Sequence, residues 1–188
     1  MVSLSTKDQI LHSAQALAQT RGFNAFSYAD IADELGIRKA SIHHHFPSKL
    51  DLEYELLTRY RSEFVEELSS IKSNASDSSE QLQRYIELYF STLKSNRICL
   101  GGMMASDVGA LPEELAPALK SFFAEQLEWL ADVLRFGKKN GELNFSGSAE
   151  SHANVLLAAL QGGLLLANAM GDEAVFVKMK NSLLAQLK

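Results

Sequence analysis

The sequence predicts an all-α protein of about nine helices, and three observations carry that reading. Apolar residues recur at three- and four-residue intervals along nearly all of the 188 residues. No segment alternates apolar and polar side chains as a half-buried strand does. Punctuation is sparse, with 3 prolines and 11 glycines, and these fall between the periodic segments rather than inside most of them. With 46% hydrophobic and 22% charged residues, the chain is too apolar for disorder.

The elements follow in order. Ile10, Leu11, Ala14, Leu17 and Ala18 form one apolar stripe on a helix that opens near Ser5 or Thr6 and stops at Gly22. After a connector with Phe23 and Phe26, Ser27-Tyr28-Ala29-Asp30 starts a second, two-turn helix in the manner of a capping box. That helix ends at Gly36, which suits a left-handed conformation. A third short helix spans about Arg38 to His45, with Ile42 and Phe46 inward, and Pro47 blocks its extension. Ser48 caps a long fourth helix carrying Leu52, Leu56, Leu57, Tyr60 and Phe64.

Six of the twelve residues from Ser69 to Glu80 are serine, so a polar turn between modules is expected there. A fifth helix runs to about Asn96, and Arg97–Gly109 reads as irregular or short-helical. A long helix bearing Leu119, Phe122, Leu127, Leu130 and Leu134 ends at Gly141, with Pro112 and Pro117 suited to first-turn positions. The last two helices cover roughly Ala149–Met170 and Asp172–Leu187. Ser151–Gly171 lacks charge, but His152, Asn154, Gln161 and Asn168 interrupt it, so a buried helix is expected there and no membrane partner.

Composition narrows the chemistry. One cysteine, Cys99, excludes an internal disulfide framework. No Ser/His/Asp constellation, phosphate loop or metal-ligand spacing is visible, so neither an enzyme nor a cofactor or metal site is expected. His43-His44-His45 cannot converge on one ion, because consecutive helical side chains point about 100° apart. The amino terminus lacks the charged and apolar regions of a secretion signal, and the expected compartment is the cytoplasm. The formal net charge of −5 argues against a nucleic-acid partner only if charge is averaged. Arg38 to Lys49 holds three fixed positive charges, three histidines and no acid.

Two short helices joined at a glycine, the second one basic, match a helix-turn-helix of about residues 27–46. Such a second helix must fit a major groove about 12 Å wide and keep acids off its outer face. Ile31, Leu35, Ile37, Ile42 and Phe46 would lock the pair, leaving Lys39, Ala40, Ser41, His43 and His44 outward.

The run Ile31-Ala32-Asp33-Glu34-Leu35-Gly36-Ile37-Arg38-Lys39-Ala40-Ser41-Ile42-His43-His44-His45-Phe46-Pro47-Ser48-Lys49, with Gly22-Phe23 and Ser27-Tyr28 before it, resembles the signature of the TetR family of transcriptional repressors over about residues 5–60. The resemblance implies a homodimer on double-stranded operator DNA, with a DNA-binding domain at 1–50 and a helical effector-binding and dimerisation domain at 51–188. It implies that Ser27 and Tyr28 touch the DNA backbone, that Arg38, Lys39, Ala40 and Ser41 meet bases or phosphates, and that Lys49 holds a phosphate. His43 stands where the family usually has tyrosine, and His44 where it has Tyr, His or Trp.

Tyr85, Tyr89, Phe90, Met103, Met104, Phe122, Phe123, Gln126 and Trp129 are candidates for lining an effector pocket, although the same spacing suits plain core. Cys99 joins them as a candidate sensor of electrophiles or oxidants, in a Cys-Leu-x-Gly run similar to that of some relatives. The scarcity of charge among the pocket candidates suggests a mostly apolar or aromatic effector, and the resemblance of the Cys99 run implies an electrophilic one. Ala159, Gly162, Gly163, Leu166 and Ala167, with Leu183, Leu184 and Leu187, are assigned to a four-helix dimer interface. The alternative is a helical small-molecule binder or cysteine-based redox sensor that does not act on DNA.

Overall fold

A computed structural model describes residues 4–106 and 112–187. Among these residues the chain is helical throughout, as expected: α1 (Thr6–Arg21), α2 (Tyr28–Leu35), α3 (Lys39–His45), α4 (Lys49–Asn74), α5 (Ser78–Lys94), α6 (Leu100–Ser106), α7 (Ala116–Asn140), α8 (Ala149–Met170) and α9 (Glu173–Ala185). Single 3-10 turns cover Phe23–Ala25 and Glu113–Leu115. Residues 107–109 of the irregular segment lie outside the described residues.

The chain divides into two compact units, the described parts of Met1–Ser62 with Leu100–Leu119, and Glu63–Cys99 with Lys120–Lys188. The serine-rich stretch is not the turn its composition suggests. Residues 69–74 continue α4 as helix, and only Ala75, Ser76 and Asp77 leave it. The polar side chains fold back onto the helix itself, with Ser73 Oγ donating to the Ser69 carbonyl at 2.9 Å and Asn74 Nδ2 to the Ser70 carbonyl at 2.8 Å. Asp77 then caps α5 by accepting from the Glu80 amide at 2.8 Å. Glu80 reaches back to the Ser76 amide and hydroxyl and holds Arg84, and these bonds hold its carboxyl down at about 2.

In the first unit the stripe of α1 is buried as its spacing requires, and Ile31, Ile42, Phe46, Leu52, Leu56 and Leu57 close the core from α2, α3 and α4. Lys7 of α1 pairs with Glu55 of α4 at 2.8 Å, and His12 Nε2 accepts from Arg59 at 2.7 Å.

In the second unit α8 and α9 form the most extensive helix pair. Gly163 lies in this contact: a Cβ there would displace the Met179 methyl and stand 3.5 Å from Phe176. Gly163, Ala167, Leu183 and Leu187, expected at a dimer interface, are buried within the chain, and Gly163 serves an intramolecular helix contact. Leu184, Ala159 and Gly162 remain partly accessible. The large apolar residues α8 leaves open are Val155, Leu165, Leu166 and Met170, at 45–65% exposure. With Ala159 and Gly162, they line one side of the helix at three- and four-residue spacing. This double-sided apolar character makes α8 long and apolar enough to cross a bilayer by length and composition alone, yet its other side is core.

Gly137 in α7 is a second close approach. A Cβ built there stands 2.6 Å from Leu143 Cδ1 and 2.7 Å from Ser78 Cβ. Alanine normally stabilises a helix relative to glycine by about 1 kcal/mol, but overpacking against fixed neighbours costs about 1–3 kcal/mol. Gly137→Ala is therefore expected to lower the thermal midpoint, and a raised midpoint in a melting experiment would contradict the packing described.

Candidate nucleic-acid interface

The interface is built from α2, α3 and the first turn of α4. Ser27 and Asp30 complete a capping box: Asp30 accepts from the Ser27 amide and hydroxyl, both at 2.7 Å, and the Ser27 hydroxyl accepts from the Ala29 amide at 3.2 Å. The Ser27 hydroxyl is the chief cause that holds the Asp30 carboxyl below its ordinary value. Gly36 ends α2 with φ 65°, letting the Ile37 amide reach the Ala32 carbonyl at 3.0 Å. Arg38 is the N-cap of α3, one residue earlier in role than its place in the expected helix, and its carbonyl accepts from the Ser41 amide at 2.8 Å.

Ile42 is the one residue of α3 that is buried, at 0% exposure. Lys39, Ala40, His43, His44 and His45 are exposed, as is Arg38, while Ser41 is partly covered. Seven residues at 1.5 Å each give a rod of about 10 Å, short enough for the major groove. His45 is exposed and borders a shallow groove with Leu50, Asp51 and Tyr54 of α4.

His43 is held from two sides. Its ring meets Tyr28 edge-on with centroids 4.8 Å apart, and Nδ1 lies 3.4 Å from the Pro47 carbonyl. A carbonyl only accepts, so Nδ1 carries the proton and Nε2 is left for an outside partner.

Two expected phosphate ligands are committed inside the protein. Tyr28 is 6% exposed, and its hydroxyl sits 2.6 Å from the Ser48 carbonyl and 3.0 Å from that of Phe46. Burial, then Asp51 and Glu53, push its pKa up to about 12, so it stays a neutral donor. Lys49 donates to the Phe23 carbonyl and, at 2.9 Å, to that of Phe26, with its ammonium 4.7 Å from the Phe26 ring. The Ser27 hydroxyl proton is likewise used by Asp30. Pattern alone could not separate a phosphate-binding lysine from one that ties a connector to α4. The Ser48/Asp51 box, with bonds of 2.8 and 2.6 Å, repeats the spacing of Ser27/Asp30 and was readable in advance.

The residues expected to line an effector pocket do not gather at one place. Met103 and Met104 belong to the first unit, where Met103 borders a crevice with Gly22 and Phe23. In the second unit Tyr85 and Tyr89 both donate to Gln126 Oε1, at 2.8 and 2.9 Å, and Gln161 Nε2 donates to the Tyr89 hydroxyl at 3.2 Å. Phe122 and Phe123 meet edge-on at 5.1 Å, whereas Phe90 stacks on Phe176 at 5.7 Å. Burial drives the Tyr85 phenol upward, and Cys99 is 2% exposed, the setting of an inert structural thiol. Trp129 alone of the set borders an open cleft of about 520 Å³ with α7 residues, Lys72 and Gln81.

Replacing Lys49 by methionine should leave the Phe23 and Phe26 carbonyls without their donor and destabilise the fold by about 1–2 kcal/mol. Thermal or denaturant unfolding measures this; unchanged stability would show that the ammonium is available to a phosphate after all.

The family model of bacterial regulatory proteins of the tetR family matches residues 10–54, the segment that contains this helix pair. The chain is 36% identical to a solved TetR-family transcriptional regulator of Agrobacterium tumefaciens, with a TM-score of 0.92 and 97% of each chain covered. It is 37% identical to a TetR transcriptional regulator of Legionella pneumophila, with a TM-score of 0.90 and 100% of each chain covered. To the HTH-type transcriptional repressor NemR of Escherichia coli (strain K12) it is 24% identical over 170 residues, 86% of this chain and 83% of that one. A helix-turn-helix with an acid-free outer helix, joined to a second helical unit and related over its whole length to such proteins, belongs to the TetR family of DNA-binding transcriptional regulators.

Proposed function

We propose that the protein acts in the cytoplasm as a dimeric, non-catalytic repressor, released from a palindromic operator when a small effector occupies its carboxy-terminal domain. Residues 1–50 read DNA, and residues 51–188 dimerise and sense. The carrying observation is the outer face of α3, where Arg38, Lys39, Ala40, His43 and His44 are exposed without an acid among them. Lys39 meets phosphate or a guanine edge, and Ala40 and Ser41 allow close approach to the bases. Ser27 and Tyr28 contribute by fixing the start of α2, and Lys49 by holding the connector, rather than by direct phosphate bonds.

Two such helices enter successive major grooves when the dimer spaces them by roughly 34 Å. The exposed stripe of Val155, Ala159, Gly162, Leu166 and Met170 on α8 supports pairing with a second copy. An effector acts by binding more tightly to a conformation with the wrong spacing, and its differential affinity sets how far the equilibrium shifts.

Binding of a labelled duplex from upstream of the protein's own gene tests the reading. Affinity should fall steeply with salt, with a log–log slope of about −4 or steeper for a dimer making several phosphate contacts. Lys39→Glu should remove binding while the melting temperature stays near wild type. Leu166→Glu should yield monomers in sedimentation and weaken binding by at least about tenfold. A salt-insensitive affinity, or full occupancy by Lys39→Glu, would refute the assignment of α3 to the groove.

A further inference from the structure

We propose that the cleft between the end of α4, the start of α5 and the second half of α7 binds an aromatic organic anion, a carboxylate or sulfonate with an apolar ring. Binding itself is independent of the operator reading; only its consequence for DNA rests on that reading. The cleft, about 520 Å³, is of a size that holds a small molecule. Its wall is aromatic and apolar: Trp129, Val133 and Phe136. Phe136 is 60% exposed, an unusual position for a phenylalanine without a partner. Trp129 is fixed from behind, stacked on buried Tyr85 with centroids 5.4 Å apart and planes at 23°. The platform is therefore rigid before any ligand arrives.

Charge decides the ligand class. The cleft carries Lys72, Arg135 and Lys139 against one carboxylate, Asp132. Arg135 is already held, by Asp132 and by Glu150, each at 2.6 Å. Lys72 and Lys139 form no ion pair among the described residues, so two ammonium groups border an aromatic wall without a counter-ion. The indole Nε1 of Trp129 is itself buried and has no acceptor in the protein, so the ring offers the cleft its apolar face. A cationic ligand would leave both ammonium groups uncompensated, whereas a ring bearing one anionic group answers both the wall and its rim.

Trp129 is the single tryptophan of the chain, so its fluorescence reports on this cleft directly. The test titrates the full-length protein with 4-butylbenzoate and, separately, with 4-butylbenzylammonium, reading Trp129 emission and calorimetric heat. The benzoate should shift the emission and bind at one site per chain, and the ammonium analogue should bind at least about tenfold more weakly. Lys72→Gln with Lys139→Gln, both on exposed side chains, should weaken benzoate binding by about tenfold, as expected for loss of two partly screened charge contacts. The double variant should keep its affinity for the labelled upstream duplex.

Absence of any Trp129 response to the benzoate, equal binding of the two analogues, or an unchanged affinity in the double variant would each overturn the proposal. So would a Phe136→Ala variant that changes oligomeric state but not benzoate affinity, since the cleft would then be a protein interface. Benzoate binding in a protein that ignores the duplex would sustain the cleft and sink the operator reading instead.

Discussion

A seven-residue helix does not hold itself together in water, because nucleation outweighs the few backbone bonds it gains. The second helix of the helix-turn-helix, α3, depends on its neighbours to hold it. Ile42 is buried beneath it, Phe46 follows it into the core, and the Tyr28 hydroxyl from α2 takes up the carbonyls at its end and at the start of α4. With one inward residue, α3 is free to devote its remaining positions to the outside.

Charge placement follows from that arrangement. Two of the acids flanking α3, Asp30 and Asp51, are consumed by serine caps, whose hydroxyls and amides hold both carboxylates below their ordinary values. They stabilise the helix starts through hydrogen bonds and the macrodipole. Their negative charge is also partly answered by the donors that surround it. Net charge thus says little about the partner of such a protein: a total of −5 coexists with an acid-free stretch from Arg38 to Lys49.

In the second unit the core carries a polar centre. Gln126 is 1% exposed and accepts from two tyrosines, while its amide donates to the Phe122 carbonyl at 3.2 Å. A satisfied network of this kind favours one alignment of α5 and α7 over its alternatives, because any slip strands buried donors. The aromatic positions read as pocket candidates in the sequence are largely this network and its packing shell. Spacing places residues on one face of a helix, but whether that face meets a void or another helix depends on where the next helix lies.

Periodicity, the glycines at 22, 36 and 141, and the serine caps located most of the described helices and most of their ends to within a few residues, since these signals act within one helical turn; the end of α4 and the span of α6 were not legible in that way. The helix-turn-helix and its exposed basic residues were legible for the same reason, as cap, turn and buried isoleucine are all local. The roles of Lys49, Tyr28, Gly163 and Leu183 were decided only in three dimensions. Each is set by atoms far along the chain, such as Phe23 and Phe26 for Lys49 and Met179 for Gly163. A long side chain or a missing one has the same local signature whether it serves a ligand, a partner or the protein's own interior.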